Sequence, residues 1–246
     1  AQIMNYEAIR PMFEAFVVNR PTSTGVVQWM LNSPWPEFYW QLYDYYLMPT
    51  GAYYGTMKAC QPATLIYNYY DHTVYASNDA MTGLQNATAE IKIYDINSSI
   101  VFQHSEQLSL GNNEAKALKK LPVLQGTNQV YFLDLHMVDS SAKKISDNFY
   151  WLATRKDMMD WGRHFWFYTP QNQYADFTKI NTMEKVEIRG TKEITRQGDE
   201  WEAKVELSNP SGKIAFFIEL MAVKQSDGTS ILPVFWSDNY VSLLPG

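Results

Sequence analysis

From Ala63 onward, apolar residues recur at every second position. In "ATAEIKIYD", Ala89, Ile91 and Ile93 alternate with Glu90 and Lys92, and in "VYFLDLHMV", Tyr131, Leu133, Leu135 and Met137 share one face. "TLIYNYYDHTVYASN" gives two strands around Asp71-His72, and "SDNFYWLAT" gives another. A period of two puts alternate side chains on opposite faces of a strand and does not suit a helix. Turn-like "MTGLQN", "DINSS" and "LGNNE" separate the runs, which predicts an antiparallel Ig-like sandwich over residues 62–154. The alternation resumes in "KVEIRGTKEIT", "EWEAKVELSN", "IAFFIELMAVK" and "SILPVFWSDN". There Trp201, Ala203, Val205 and Leu207 alternate with Glu202, Lys204 and Glu206. Residues 177–246 therefore read as a second Ig-like sandwich, truncated at its end. It shows about four or five strands where ~7 are usual, so an edge is expected to be unpaired. Residues 155–176 have neither period and read as an aromatic-rich linker packed between domains.

Residues 1–61 obey a different rule. Ile9, Met12, Phe13, Phe16 and Val17 fall at i, i+3, i+4, i+7 and i+8, the apolar stripe of a helix over residues 3–19. Asn5 is expected to cap it, with Glu7 in its first turn. Pro11 is expected to kink or restart it. "RPTSTG" breaks the chain, "VVQWML" reads as a short buried strand, and "PTGAYYGTMKAC" as a second helix ended at Gln61-Pro62. One strand between two helices cannot close a core of its own and belongs to an α/β layer structure. The segment reads as the last βα unit of a truncated (β/α)8 barrel, a fold that needs ~250 residues. The fold class expected is thus mainly β: two Ig-like β-sandwiches preceded by that βα unit. A chain that opens straight into a helix, with no leader pattern, reads as a mature form or as a piece of something longer.

Composition excludes several functions. Apolar residues make up 46% and charged ones 19%, which suits a folded chain. The net charge is −6, and Lys119-Lys120 and Lys143-Lys144 are isolated pairs, so no nucleic-acid partner is expected. No apolar run approaches the ~20 residues of a membrane span. Cys60 is the sole cysteine, so no internal disulfide can form, and it is expected to be buried and inert. His72, His104, His136 and His164 lack ligand spacing, and there is no phosphate loop, so neither metal nor cofactor is expected. "NAT" at 86 and "NSS" at 97 match the glycosylation pattern, which is common by chance.

The segment between the two helices is crowded with rings: Trp29, Trp35, Phe38, Tyr39, Trp40, Tyr43, Tyr45 and Tyr46. Its "WMLNSPWP" at 29–36, "YDYY" at 43–46 and "PTGAYYGTMKACQP" at 49–62 resemble the region of the last barrel strand in glycoside hydrolase family 2. Within that family, "NFYWL" at 148–152, "DMMDWGRHFWFYTPQNQYADF" at 157–177 and "LPVFWSDNYVSLLPG" at 232–246 most resemble the exo-β-D-glucosaminidases, or exo-chitosanases. The resemblance implies hydrolysis of β-glycosides with retention, by two carboxyl groups ~5–5.5 Å apart. Both lie on earlier barrel strands in the family, so no catalytic residue is assigned in this chain. What it carries over is a substrate-binding wall: Trp29 against the apolar face of a sugar, with Asn32 and Trp35 beside it. Glu37 and Asp44, the acids of the segment, are read as structural. Ser33 stands where the family's β-mannosidases more often have Asp, which favours the glucosaminidase reading. The resemblance further implies a chito-oligosaccharide-like substrate, the remainder of the same polypeptide as partner, and secretion or a periplasmic location. An alternative of another class is a non-enzymatic module whose sandwiches bind polysaccharide or protein through exposed rings.

Overall fold

The computed structural model describes residues 1–37, 40–124, 126 and 129–246. Helix α1 (Gln2–Val18) and helix α2 (Gly51–Ala59) come first. Strands β1 (Ala63–Asn68), β2 (Thr73–Asn78), β3 (Leu84–Asp95), β4 (Ile100–Leu110), β5 (Glu114–Lys120), β6 (Val130–Val138) and β7 (Lys144–Ala153) follow. They form two antiparallel sheets, ordered β1-β2-β5 and β4-β3-β6-β7. The alternation dictates the core: Ala89, Ile91 and Ile93 of β3 and Leu133, Leu135 and Met137 of β6 face Leu65, Val74 and Ala76 across the sandwich, all buried. Ile91 is paired with Leu135 and Ile93 with Leu133, so β-branched and leucine side chains interlock on one face.

The other face of β6 and β7 is apolar over half its length. Phe132 and Trp151 are cross-strand partners and join Tyr6, Tyr54, Tyr94, Ile214 and Tyr240 in a second core. That core is where the helices and the downstream chain meet the sandwich.

Helix α1 corrects three expectations. It begins at Gln2 with Ala1 as cap, so Asn5 lies inside it, buried, and donates to Thr50 Oγ1 at 3.3 Å. It runs unbroken through Pro11. Its buried face is also shifted from the expected stripe: Ile9 is buried and Phe13 and Val17 are half-buried as expected, but Met12 and Phe16 are exposed, and Asn5, Tyr6, Arg10 and Glu14 are buried instead. The reason is a set of charge-assisted hydrogen bonds between that face and β7. Helix α2 forms as expected. Gly51 and Gly55 lie one turn apart and let α1 approach: a Cβ would sit 2.2 Å from Gln2 O at the first and 2.6 Å from Tyr6 O at the second.

Residues 26–31 form no strand, and Val27 is 92% exposed. A strand needs neighbours for its backbone groups. Among the described residues, the ladder-like partner of this run is Tyr43, whose N–H donates to Leu31 O at 3.0 Å. Cys60, just past α2, is exposed rather than buried. Partial burial of its thiol and nearby Asp79 nonetheless hold the thiol pKa above its ordinary value, which keeps it protonated.

The expected linker is short paired β8 (Met158–Met159) and β9 (Gln171–Gln173) around a 3-10 turn at Trp161–Arg163. Its rings are not packed between domains. Trp161, Phe165, Phe167, Tyr168 and Tyr174 are exposed, as is Trp166 at 82%. They cap a turn that folds on itself through Asp160 and Pro170, so their burial would need another body. Beyond it, β10 (Arg189–Gln197) and β11 (Glu200–Ser208) form a two-stranded ribbon through Gly198, and β12 (Ala215–Ile218) pairs with β13 (Val241–Leu243). "SILPVFWSDN" is not a strand. Asn239 instead clamps Leu220, donating to its O at 3.0 Å and accepting from its N–H at 2.7 Å.

Candidate functional site

The aromatic segment is stitched to the start of α2. Thr50, the α2 cap, donates its N–H to Leu42 O at 2.9 Å, and its hydroxyl lies 3.0 Å from Gln41 O. The Asp44 carboxylate accepts the N–H groups of Tyr46 and Met48, each at 2.9 Å, and so closes the turn before α2. Glu37 accepts the Ser33 hydroxyl at 3.1 Å, with Ser33 buried. Both acids are thus engaged in shaping the loop. Gln28 Nε2 donates to Trp40 O at 3.1 Å, and the Tyr43 ring meets Tyr53 at 5.2 Å.

On this frame stand the three residues the sequence singled out. Trp29 is 78% exposed and Trp35 59%, two indoles presented to solvent by a hydrogen-bonded loop. Asn32 is exposed, its backbone bridged to Tyr43, its Nδ2 3.3 Å from Ser33 O. The Trp29–Met30 peptide is cis. Chemically, exposed indoles offer flat apolar faces and the Asn amide offers both a donor and an acceptor, a set that suits a polyhydroxylated ring. Among the described residues, no three of His, Cys, Asp or Glu cluster as metal ligands.

Sequence reasoning missed the polar network that joins α1 to β7. Arg10 Nη1 donates to Asn148 Oδ1 at 2.9 Å and to Phe149 O at 2.7 Å, and Nη2 meets Glu7 at 2.5 Å. Glu14 Oε1 accepts from Asn148 Nδ2 at 2.9 Å and from the Tyr150 hydroxyl at 2.7 Å. The Tyr69 hydroxyl donates to Glu7. Burial pushes Glu14 up to about 7, and Arg10, Tyr150 and Asn148 offset this only in part. Glu14 Oε2 and Arg10 Nε are buried with no hydrogen-bond partner. No periodicity flags such a network, because its members are polar; the one signal was a Glu-x-x-Arg-x-x-x-Glu spacing that puts all three on one helix face. A second clamp involves Lys58 of α2, whose Nζ lies 2.6 Å from Asp238 and 3.1 Å from Asp147. Burial pulls the lysine pKa down, but Asp238 and Asp147 more than offset it, and it stays charged.

Residues 71–157 match the model of the mannosidase Ig/CBM-like domain, and residues 166–246 that of the exo-beta-D-glucosaminidase Ig-fold domain. The chain is therefore mainly β and carries Ig-like domains of the kind found in β-glycosidases. More particularly, it is homologous along its whole length to exo-beta-D-glucosaminidases, which bears out the resemblance drawn from the sequence. It is 35% identical to the enzyme of Arthroderma benhamiae, covering 100% of this chain and 28% of that protein, and 35% identical to that of Amycolatopsis orientalis, covering 100% and 25%. The crystal structure of the Amycolatopsis orientalis exo-chitosanase superposes with a TM-score of 0.92 at 35% identity, over 100% of this chain and 30% of that one. A β-D-mannosidase from Dictyoglomus thermophilum, at 15% identity and a TM-score of 0.63, shares the fold. The chain thus spans about a quarter of the length of the curated relatives it matches.

Proposed function

We propose that this chain acts as the carboxyl-terminal part of a retaining exo-β-D-glucosaminidase that releases terminal β-linked glucosamine from chito-oligosaccharides. The observation that carries the reading is the exposed pair Trp29 and Trp35 on a loop braced by α2, in a chain related throughout to such enzymes. Trp29 stacks on the sugar face, and Asn32 and Trp35 complete the wall. Residues 1–61 are the end of a (β/α)8 barrel whose other strands supply both catalytic carboxyl groups. Residues 62–154 and 177–246 are scaffold sandwiches joined by 155–176. The outward apolar side of α1 (Met4, Met12, Phe16) and of residues 27–31 supports this, since such a surface seeks cover. The working enzyme is secreted or periplasmic.

Purified residues 1–246 should not turn over an aryl β-glucosaminide, and the full-length polypeptide should. Turnover by residues 1–246 alone sinks the assignment of the carboxyl pair elsewhere. The exposed rings of 161–174 favour a second reading, a polysaccharide-binding module without catalysis. Calorimetry with chitosan oligomers separates them: binding lost with Trp29→Ala supports the pocket wall, and binding lost with Trp166→Ala supports the module.

A further inference from the structure

The segment after Ser230 is not a strand, but it is held at both ends. The Ile231 N–H donates to Ala222 O at 2.9 Å, and Asp238 pairs with Lys58 of α2 at 2.6 Å. Between these anchors Phe235 stands out, 62% exposed. Its ring meets that of Tyr43 at 6.2 Å and 74°. Tyr43 belongs to the loop that carries Trp29, Asn32 and Trp35. Its N–H donates to Leu31 O at 3.0 Å, its backbone bridges Asn32, and its ring rests on Tyr53 of α2 at 5.2 Å. Rings from two units of the chain thus meet beside the backbone of the candidate wall. Helix α2 braces both partners, the loop through Thr50 and the downstream segment through Lys58.

Phenylalanine has no polar handle, so its ring gains nothing from water, and here a braced segment holds it there. The charge around it limits what it can meet. Residues 21–50 contain Glu37 and Asp44 and no lysine or arginine; residues 225–246 contain Asp227 and Asp238 and no lysine or arginine. Lys58 is itself flanked by Asp147 and Asp238. Both sides of the Tyr43–Phe235 contact are therefore acidic, which favours a cationic ligand over an anionic one. An amino sugar combines the two requirements. Its C–H face covers an aromatic ring, and its ammonium is attracted both to acids and to the face of a ring.

We infer that Phe235 is a substrate-binding residue supplied by the downstream unit, and that with Tyr43 it forms a ledge for the glucosamine units that follow the terminal one. The inference rests on the reading of Trp29 as the wall against the terminal sugar. A pocket that releases end units encloses one sugar, so the rest of the oligomer has to leave over its rim. Phe235 comes from outside the segment that carries Trp29 and meets it across Tyr43, which suits a rim position rather than the pocket itself.

Steady-state kinetics on the full-length enzyme test this. Phe235→Ala should raise KM for the glucosamine tetramer about tenfold, with kcat within about twofold of the native value. Inhibition by free glucosamine, which fills only the terminal-sugar position, should stay within about twofold, whereas Trp29→Ala should weaken both. Phe235→Trp, which keeps a flat face, should hold the tetramer KM near the native value. A tetramer KM that Phe235→Ala leaves unmoved would overturn the inference. An equal loss for the tetramer and for free glucosamine, with a lowered thermal midpoint, would also overturn it and assign the ring to packing against the rest of the polypeptide. A native enzyme that cleaves chito-oligosaccharides but ignores Phe235→Ala keeps the proposed function and discards the ledge. A native enzyme without glucosaminidase activity discards both.

Discussion

The guanidinium of Arg10 stacks on the ring of Tyr150, its central carbon 3.9 Å from the ring centroid, inside the joint between α1 and β7. The Tyr150 hydroxyl in turn donates to Glu14 and accepts from the Tyr67 N–H at 3.1 Å, so one ring serves helix and both sheets. Tyr150→Phe keeps the stacking and removes the hydroxyl. It should cost about 1–3 kcal/mol in urea unfolding, because Glu14 and the Tyr67 N–H lose a buried partner.

Arg10→Leu should cost more, roughly 3–5 kcal/mol, since it leaves the Glu14 carboxylate and Asn148 without their cation in a buried site. The double variant Arg10→Leu/Glu14→Leu should recover part of that loss. A cycle of urea midpoints measures the coupling.

Glu14 makes the joint pH-dependent. Its folded pKa, about 7, lies above its ordinary 4.5, so the folded state holds a proton that the unfolded state releases. The stabilisation is complete below pH 4.5 and is lost as pH rises through 7. The rise is worth roughly 3 kcal/mol. Asp147, held below its ordinary value chiefly by Lys58 and Lys144 against the opposing effect of burial, acts the other way, and its share is lost on acidification below about pH 4. The difference between the native chain and Glu14→Gln, followed by urea midpoint from pH 4.5 to 8, should therefore shrink the pH slope in that window.

Gly55→Ala tests the close approach of α1 and α2. Alanine favours a helix by about 1 kcal/mol, but its Cβ would lie 2.6 Å from the backbone oxygen of Tyr6. Backbone cannot rotate away as a side chain can, so a net loss of about 1–2 kcal/mol is expected from thermal unfolding.

Trp29→Ala and Trp35→Ala should leave unfolding within about 0.5 kcal/mol of the native chain, as both indoles are largely in solvent. In the full-length enzyme, Trp29→Ala should weaken use of chito-oligosaccharides by about 10- to 100-fold in kcat/KM, equivalent to 1.4–2.8 kcal/mol.

The first sandwich was legible because its central strands carry the period of two: Ile91, Ile93, Leu133 and Leu135 each fall where it requires, although β1 and β6 also bury residues on their other face. β4 was harder to read, since its outward positions carry Gln103, Ser105 and Gln107 at a sheet edge where burial is slight. The docking face of α1 was misread for a definite reason. Hydrophobic periodicity finds apolar stripes, and this helix buries Arg10 and Glu14 because hydrogen bonds to β7 satisfy them, leaving Met12 and Phe16 outside. "VVQWML" and "SILPVFWSDN" have strand composition, but strand formation depends on neighbours that a local pattern does not supply. Of the proposed site, the residues could be named from sequence; their presentation by Thr50 and Asp44 could not, because it depends on backbone hydrogen bonds across a turn.

Lys58 sits at one vertex of a triangle whose other corners, Asp147 and Asp238, belong to different β units. Those units consequently cannot be shuffled as interchangeable cassettes among relatives. A chimera that replaces only the downstream unit and lacks an acid at 238 would leave the Lys58 ammonium with Asp147 alone in the seam, so recombination has to carry residues 51–59, 147 and 238 as one inherited set.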